Sequence, residues 1–191
     1  RQTAEALFDA LRKDVALKEL MLWGCSLGDQ TVQMVAEALT QNNNLTSLSL
    51  NGNAIGDGAV CALAPTLRQN STLRALSLAG NSIGDDGALA LAASIREGSA
   101  LERLFLAGND ISARGAEALG QAAAAEGSVL AELNLARNAI GEEGAIALAQ
   151  VLLDKCTLKE LNLDGNGIGE QGSVKLAAAL RRNGSLEVLS L

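Results

Sequence analysis

The sequence contains no histidine, and this absence limits the chemistry open to it. The segment Gly24-Cys-Ser26-Leu-Gly28 matches the G-x-S-x-G nucleophile pattern, which needs a histidine partner. A Ser-His-Asp triad within this chain is therefore impossible, and a thiol nucleophile at Cys25 has no base either. No C-x-x-C, H-x-x-x-H or G-x-x-x-x-G-K-[ST] occurs, which excludes the usual metal and P-loop motifs. We expect a protein that is not an enzyme and that uses no cofactor and no metal.

Basic charge and long apolar runs are scarce as well. The formal net charge is −7, so the chain has no basic stripe with which to displace counterions from nucleic acid. No apolar run reaches about 18 residues, the length a membrane-spanning helix needs. The segment from Arg1 to Val15 is typical of a charged helix and not of a signal peptide. We therefore expect neither nucleic acid nor membrane as a partner.

Cysteine is limited to three residues at non-equivalent positions: Cys25, Cys61 and Cys156. An odd count without a paired framework indicates reduced thiols and a cytoplasmic protein. Three formal glycosylation acceptors, at Asn44, Asn70 and Asn183, would instead require secretion. They precede strands, where Asn is an ordinary turn residue, so we favour the cytoplasm and leave their use open.

In contrast, one sequence pattern recurs along the whole chain. It has the form L-x-x-L-x-L-x-x-N-x-I/L, and its copies are 28 residues apart with one step of 29. Such a period is the signature of a leucine-rich-repeat solenoid. Full repeats start at Leu17, Leu45, Leu73, Leu101, Leu130 and Leu158, and a partial one at Leu186.

Each repeat changes its apolar period halfway. The leucines alternate as in a half-buried strand, and the segment after the glycine follows a helical period. We predict an α/β horseshoe with an inner parallel sheet and outer helices, about 28 residues per repeat. Residues 1–191 then form one domain, with a helical half-repeat over 1–16 and a partial repeat over 186–191. Because neither end has a polar cap, we expect a fragment of a longer protein, and end-to-end self-association is a further possibility.

Most of the polar residues that recur have structural interpretations. The asparagines of the repeat pattern should turn inward and hydrogen-bond to the backbone N–H and C=O groups of each bend. They are Asn53, Asn81, Asn109, Asn138 and Asn166. The acids after the I/L-Gly pair should favour the positive end of a helix dipole: Asp29, Asp57, Asp85, Asp86, Glu142, Glu143 and Glu170.

Three irregularities are expected to matter locally. One extra residue within 120–128 should be absorbed at a helix C-terminus, and Arg114 should interrupt the acidic edge. Pro65 should kink or shorten its helix.

The complete pattern L-x-x-L-x-L-x-x-N-x-I-G-D/E-x-G-A-x-x-L-A-x-x-L resembles the ribonuclease-inhibitor-like class of leucine-rich repeats. Copies such as Leu73 to Ala88 are most similar to the repeats of NOD-like receptors. The resemblance implies a cytoplasmic domain, linked to innate immunity, that binds a protein or senses a ligand on its concave face. Ran GTPase-activating protein shares the class, so a GTPase activator is the alternative.

Candidate contact residues lie at the variable positions that point away from the core. Aromatics and arginine dominate interface hot spots, which favours Trp23, Arg103 and Phe105. An acidic group with two amides could receive a basic ligand. The alternatives are that Trp23 covers an exposed flank, that Phe105 packs on nearby arginines, and that the acids are merely solvated. The full set is Glu19, Met21, Trp23, Arg103, Phe105, Glu132, Asn134, Arg137, Glu160, Asn162 and Asp164.

Overall fold

The computed structural model describes residues 2–13, 16–153 and 156–191. Residues 1, 14 and 15 of the expected half-repeat over 1–16 lie outside this description. Helices and strands alternate strictly along the chain. The helices are α1 Gln2–Lys13, α2 Gly28–Leu39, α3 Asp57–Gln69, α4 Asp85–Arg96, α5 Ala113–Ala123, α6 Gly141–Leu152 and α7 Gly169–Leu180. The strands are β1 Glu19–Met21, β2 Ser47–Ser49, β3 Ala75–Ser77, β4 Arg103–Phe105, β5 Glu132–Asn134, β6 Glu160–Asn162 and β7 Val188–Ser190.

The strands form one sheet in the order β1-β2-β3-β4-β5-β6-β7, and every pair is parallel. Equivalent leucines stand opposite each other from Leu20 to Leu189. The extra residue leaves this register intact, because Leu104 still pairs with Leu133 and the turn after α5 takes up the insertion. The prediction of an α/β leucine-rich-repeat solenoid is confirmed.

The core is a strip between the sheet and the helices. Strand leucines such as Leu48, Leu76 and Leu104 are almost completely buried, as are the inward helix residues Leu63 and Leu91. Each helix packs on the next helix along the chain, and each strand on the next strand. No helix within the described ranges is long and apolar enough to cross a membrane.

The inward asparagines join successive bends. The Asn81 side-chain oxygen accepts from the backbone N–H groups of Asn53 and Ile55 in the preceding repeat, at 2.9 and 3.1 Å. Its amide group donates to carbonyls of both repeats, including Leu50 and Leu78. The four other asparagines of the ladder bond in the same manner. Their expected structural role is confirmed, and it extends across two repeats.

A second set of buried amides supports the turns before the strands. The Asn70 amide donates to the carbonyls of Leu39 and Asn42, and its oxygen accepts from the N–H of Leu73. Asn42 and Asn183 make the equivalent bonds to the helix end of the preceding repeat. Both hydrogens of the Asn70 amide are therefore engaged in the fold.

The acids after the I/L-Gly pair lie in the first turns of the helices, as expected. Several also reach the next repeat. Asp57 Oδ1 accepts from the N–H groups of Gly84 and Gly87 at 2.7 and 2.9 Å, and Asp85 does the same for Ser112 and Gly115. One carboxylate thus accepts hydrogen bonds from the N-terminus of the following helix. Arg114 forms ion pairs with Asp85 and Asp86.

The expectation that Pro65 shortens its helix is wrong. Helix α3 has 13 residues and is the longest of the described helices. Pro65 and Cys61, whose carbonyl loses its helical donor, both lie on the exposed side of α3. Water can bond to that carbonyl there, so the helix continues through the proline.

Candidate partner-binding face

The side of the sheet away from the helices carries two rows of side chains across the seven strands of the described residues. We call this surface the sheet face. Its rows follow from the parallel register, because equivalent positions of neighbouring strands stand side by side. The first row is Glu19, Ser47, Ala75, Arg103, Glu132, Glu160 and Val188, and the second is Met21, Ser49, Ser77, Phe105, Asn134, Asn162 and Ser190.

Strands β5 to β7 bring together four of the expected contact residues. Glu132 stands beside Glu160, and Asn134 beside Asn162. Together with Val188 and Ser190 they line a depression of about 80 Å³. The structure therefore assembles this acidic and amide group, but on the final three strands and apart from the aromatic residues.

Burial and two neighbouring charges act on the Glu132 carboxyl group. Partial burial raises the pKa of Glu132 above its ordinary value, and the adjacent Glu160 carboxylate raises it further. The charge of Arg103, its neighbour on β4, acts in the opposite direction. A cationic group placed in the depression would relieve this repulsion.

The side-chain amides of Asn134 and Asn162 have only part of their hydrogen-bonding capacity left for a ligand. The side-chain oxygen of Asn134 accepts from the N–H of Ala136 at 3.0 Å, and that of Asn162 accepts from Asp164 at 2.9 Å. Each oxygen is therefore already used by the bend that follows its strand. The amide N–H groups remain as donors toward a ligand.

Two large apolar side chains near β1 are strongly exposed: Met21, which lies on the sheet face, and Trp23, which follows the strand by two residues at the edge of that face. Met21 is 61% and Trp23 63% exposed. The Trp23 indole N–H donates to the Ser49 hydroxyl on β2, so the ring lies toward the neighbouring strand. Phe105 is half-buried on β4, three strands from β1, or roughly 14 Å at the usual strand spacing. Trp23 and Phe105 do not form one anchor cluster.

The remaining candidates lie at the ends of the strands. Arg137 is exposed, and its backbone N–H donates to the Asp164 carbonyl. A Cβ at Gly165 would lie 3.3 Å from the Arg137 Cγ, which places this side chain against the bend at Gly165. Asp164 and Glu19 are exposed. Glu19 begins the first row of the sheet face, whereas Arg137 and Asp164 border that face, and none of these three residues lines the depression.

Sequence reasoning missed Val188 and Ser190 as lining residues because it treated 186–191 only as an incomplete repeat. The repeat register contained the signal, since Val188 is one period after Glu160 and Ser190 one period after Asn162. Within the described ranges, no group of three or more Cys, Asp or Glu side chains could hold a metal ion. The geometry of the sheet face thus offers binding contacts.

A single repeated strand-and-helix unit, stacked in parallel register, defines the molecule as an α/β solenoid of repeats. A family model described as Leucine Rich repeat matches residues 41–64, 69–92, 100–120, 128–149 and 154–177, more than half of the chain. The chain belongs to the leucine-rich repeat family.

Solved structures with the same fold include the tropomodulin C-terminal domain of Caenorhabditis elegans and a structure titled leiomodin-1 actin-binding site 2. The tropomodulin domain is 15% identical, with a TM-score of 0.59 over 94% of this chain and 92% of that one. The leiomodin-1 structure is 19% identical, with a TM-score of 0.57 over 92% and 86%. At such identities the likeness concerns the fold alone. No curated protein has a matching sequence.

Proposed function

We propose that the chain is a non-enzymatic domain that binds a protein partner or ligand through the sheet face. The observation that carries this proposal is the exposure of Met21 on that face and of Trp23 at its edge. Large exposed apolar side chains commonly mark interaction sites, and tryptophan is enriched among binding hot spots. Seven strands at about 4.8 Å extend roughly 29 Å, which suits an interface of about 800 Å² per partner.

Two contact regions support the proposal from opposite ends of the sheet. Met21 and Trp23 would bury apolar surface, with the Trp23 ring held by Ser49. Glu132 and Glu160 would receive a basic side chain in the depression, with Arg103 and Phe105 between the two regions. Arg137 and Asp164 would contribute polar contacts at the rim.

We also propose a subclass of leucine-rich repeats for this chain. The 28-residue repeat and its I-G-D/E-x-G-A segment favour the ribonuclease-inhibitor-like class and, within it, NOD-like receptors of innate immunity. Cys25 and Cys61 are free thiols, which fits a cytoplasmic location. We further propose that 1–191 form a single domain. The leiomodin-1 structure is titled an actin-binding site, which makes actin one candidate partner to test.

A pull-down from cytoplasmic lysate tests the sheet face. The bait is compared with the double variants Trp23→Ala/Phe105→Ala and Glu132→Gln/Glu160→Gln, and with the exposed helix variant Val174→Ala as control. Loss of the same partner in a sheet-face variant but not in the control supports the proposal, and unchanged partners in both sheet-face variants reject it. Purified actin is tested separately by cosedimentation.

A single-turnover GTPase assay tests the alternative of a Ran-type activator. We expect no acceleration of GTP hydrolysis by small G proteins. Acceleration that is abolished by replacing one arginine of this chain would contradict the non-enzymatic function.

A further inference from the structure

A groove runs between helices α6 and α7, on the side of the molecule opposite the sheet face. Its volume is about 230 Å³. Buried alanines, Ala149 and Ala179, form its floor because their short side chains leave space above them. Larger side chains on its walls are Ile146, Leu153, Lys175 and Arg182.

The groove between α3 and α4 is built from the equivalent positions, which makes it an internal reference. In the α3–α4 groove, Cys61 occupies the position that Ile146 has in the α6–α7 groove, and Ala90 occupies that of Lys175. At the remaining two positions Arg68 of α3 pairs with Glu97 across the groove. The same two positions between α6 and α7 hold Leu153 and Arg182. An ion pair internal to the chain is thus replaced by an apolar side chain and a cation.

The two cations of the α6–α7 groove have no anionic partner within the described part of the chain. Lys175 and Arg182 are both exposed. They are seven residues apart along α7 and its end, or about 10.5 Å along the helix axis. The helix dipole stabilises a positive charge near a helix C-terminus, which explains a cation at Arg182. It does not explain one at Lys175, which lies in the middle of α7.

The apolar part of the groove is also uncovered. Leu153 is 37% exposed, and Ile146 is only partly buried. The wall therefore combines open apolar surface with two positive charges, whereas the chain as a whole is acidic. This combination is complementary to an apolar side chain flanked by carboxylates.

We propose that the α6–α7 groove docks an acidic amphipathic helix of a protein partner. Carboxylates at positions i and i+7 of that helix pair with Lys175 and Arg182, since seven residues span the same two helical turns. Apolar side chains at i+3 and i+4 lie between them and enter the space over Ala149 and Ala179. The site is separate from the sheet face, so the two proposals stand or fall independently.

An anionic membrane surface is a weaker fit to the same residues. Glu143 and Glu170 are exposed on the same two helices and would face a negative surface as well. A concave groove also suits a side chain better than a flat layer of headgroups. A second copy of the chain would likewise have to present carboxylates at the required spacing.

Fluorescence anisotropy with a labelled synthetic helical peptide tests the proposal on the full chain. The peptide carries Glu at i and i+7 and Leu at i+3 and i+4, and its control has Gln in place of both Glu. We expect saturable binding of the Glu peptide that weakens with salt. Reversing both cations with Lys175→Glu/Arg182→Glu should weaken binding roughly tenfold or more.

Two further variants separate docking from general charge effects. Lys18→Glu/Arg96→Glu makes the same change in net charge at exposed positions elsewhere and should bind as the unmodified chain does. Leu153→Arg/Arg182→Glu rebuilds the Arg68–Glu97 pair and should abolish binding while the circular dichroism spectrum is retained. Trp23→Ala/Phe105→Ala should leave peptide affinity unchanged.

Several outcomes would overturn the proposal. These are no saturable binding of the Glu peptide, equal affinity for the Gln peptide, or equal weakening by the remote charge reversal. Binding to phosphatidylserine vesicles without binding of the peptide would assign the groove to a membrane. A concentration-dependent mass in light scattering that Lys175→Glu/Arg182→Glu abolishes, without peptide binding, would assign it to a second copy of the chain.

Discussion

At the scale of single residues, Asp85 connects two repeats through one carboxylate. It accepts hydrogen bonds from the Ser112 hydroxyl and from the backbone N–H groups of Ser112 and Gly115. Partial burial alone would raise the pKa of Asp85, but these bonds and the charge of Arg114 together lower it below the ordinary value of 3.8. The ionised form is therefore the one the fold stabilises.

Replacing this carboxylate should destabilise the protein in a pH-dependent way. Asp85→Ala leaves partly buried donors without their acceptor and is expected to lower the free energy of unfolding by about 1–3 kcal/mol at pH 7. Because the folded pKa is lowered, the stabilisation is complete above the ordinary pKa and is lost as pH falls through the lowered one. Urea unfolding between pH 7 and pH 2 checks this.

The exposed neighbour Asp86 is the matched control, since it makes only an ion pair with Arg114. Asp86→Ala should change stability by less than about 1 kcal/mol. Equal losses in Asp85→Ala and Asp86→Ala at neutral pH would contradict the role given to Asp85.

Glu132 is expected to respond to pH with the opposite sign. Its pKa is raised by burial and by Glu160, so its contribution to stability is greatest below the ordinary value and is lost as pH rises through the raised one. Glu132→Gln should therefore raise the midpoint of urea unfolding at pH 7 and lose this advantage under acid conditions. Glu102→Gln, which removes a partner of Arg74, serves as control and should not stabilise at pH 7. A lower midpoint for Glu132→Gln would refute the pKa argument.

At the scale of elements, the packing of successive helices depends on how closely their first turns approach. A Cβ at Gly115, in α5, would lie 2.7 Å from Asp85 Oδ1 and 2.9 Å from the Ala88 Cβ. A Cβ at Gly58, in α3, would meet only one atom, Asp29 Oδ2 at 3.9 Å. Glycine is therefore required at the first position and not at the second.

A pair of alanine substitutions tests this difference. Gly115→Ala should destabilise by about 1–3 kcal/mol, because it overpacks the contact between α4 and α5. Gly58→Ala should stabilise by about 0.5–1 kcal/mol, because it reduces the flexibility of the unfolded chain without a clash. Thermal unfolding of both variants measures the effect, and a stabilising Gly115→Ala would show that α4 and α5 are not so closely packed.

At the scale of the whole molecule, each repeat is supported only by its neighbours. Strand β4 lies between β3 and β5 and its Leu104 is fully buried, whereas β7 pairs with β6 alone and its Leu189 is half-buried. Local opening should therefore begin at the terminal elements.

Amide hydrogen exchange followed by mass spectrometry would show this gradient. We expect the strongest protection in β3 to β5 and the weakest in α1 and β7 of this chain. Uniform protection along the solenoid would instead mean that it opens only as one cooperative unit.

The sequence determined the architecture by itself, because the leucine period and the switch from strand to helix spacing are properties of residue type and order. It also predicted the inward asparagines, which were confirmed at Asn53, Asn81, Asn109, Asn138 and Asn166. The expectation of a shortened helix at Pro65 was wrong, since only the structure showed that the proline lies on the exposed side of a helix that continues through it.

What the tertiary structure decided depends on side chains about one repeat apart in the sequence. Only packing reveals that the Asp85 carboxylate accepts hydrogen bonds from the start of the following helix and that the Trp23 indole N–H donates to Ser49 on the next strand. The α6–α7 groove is a further example. Its residues show no distinctive pattern in the sequence, and only the packing of the two helices brings them together as a candidate binding site. The period sets where each side chain stands, whereas the contacts between neighbouring repeats decide what each can bind.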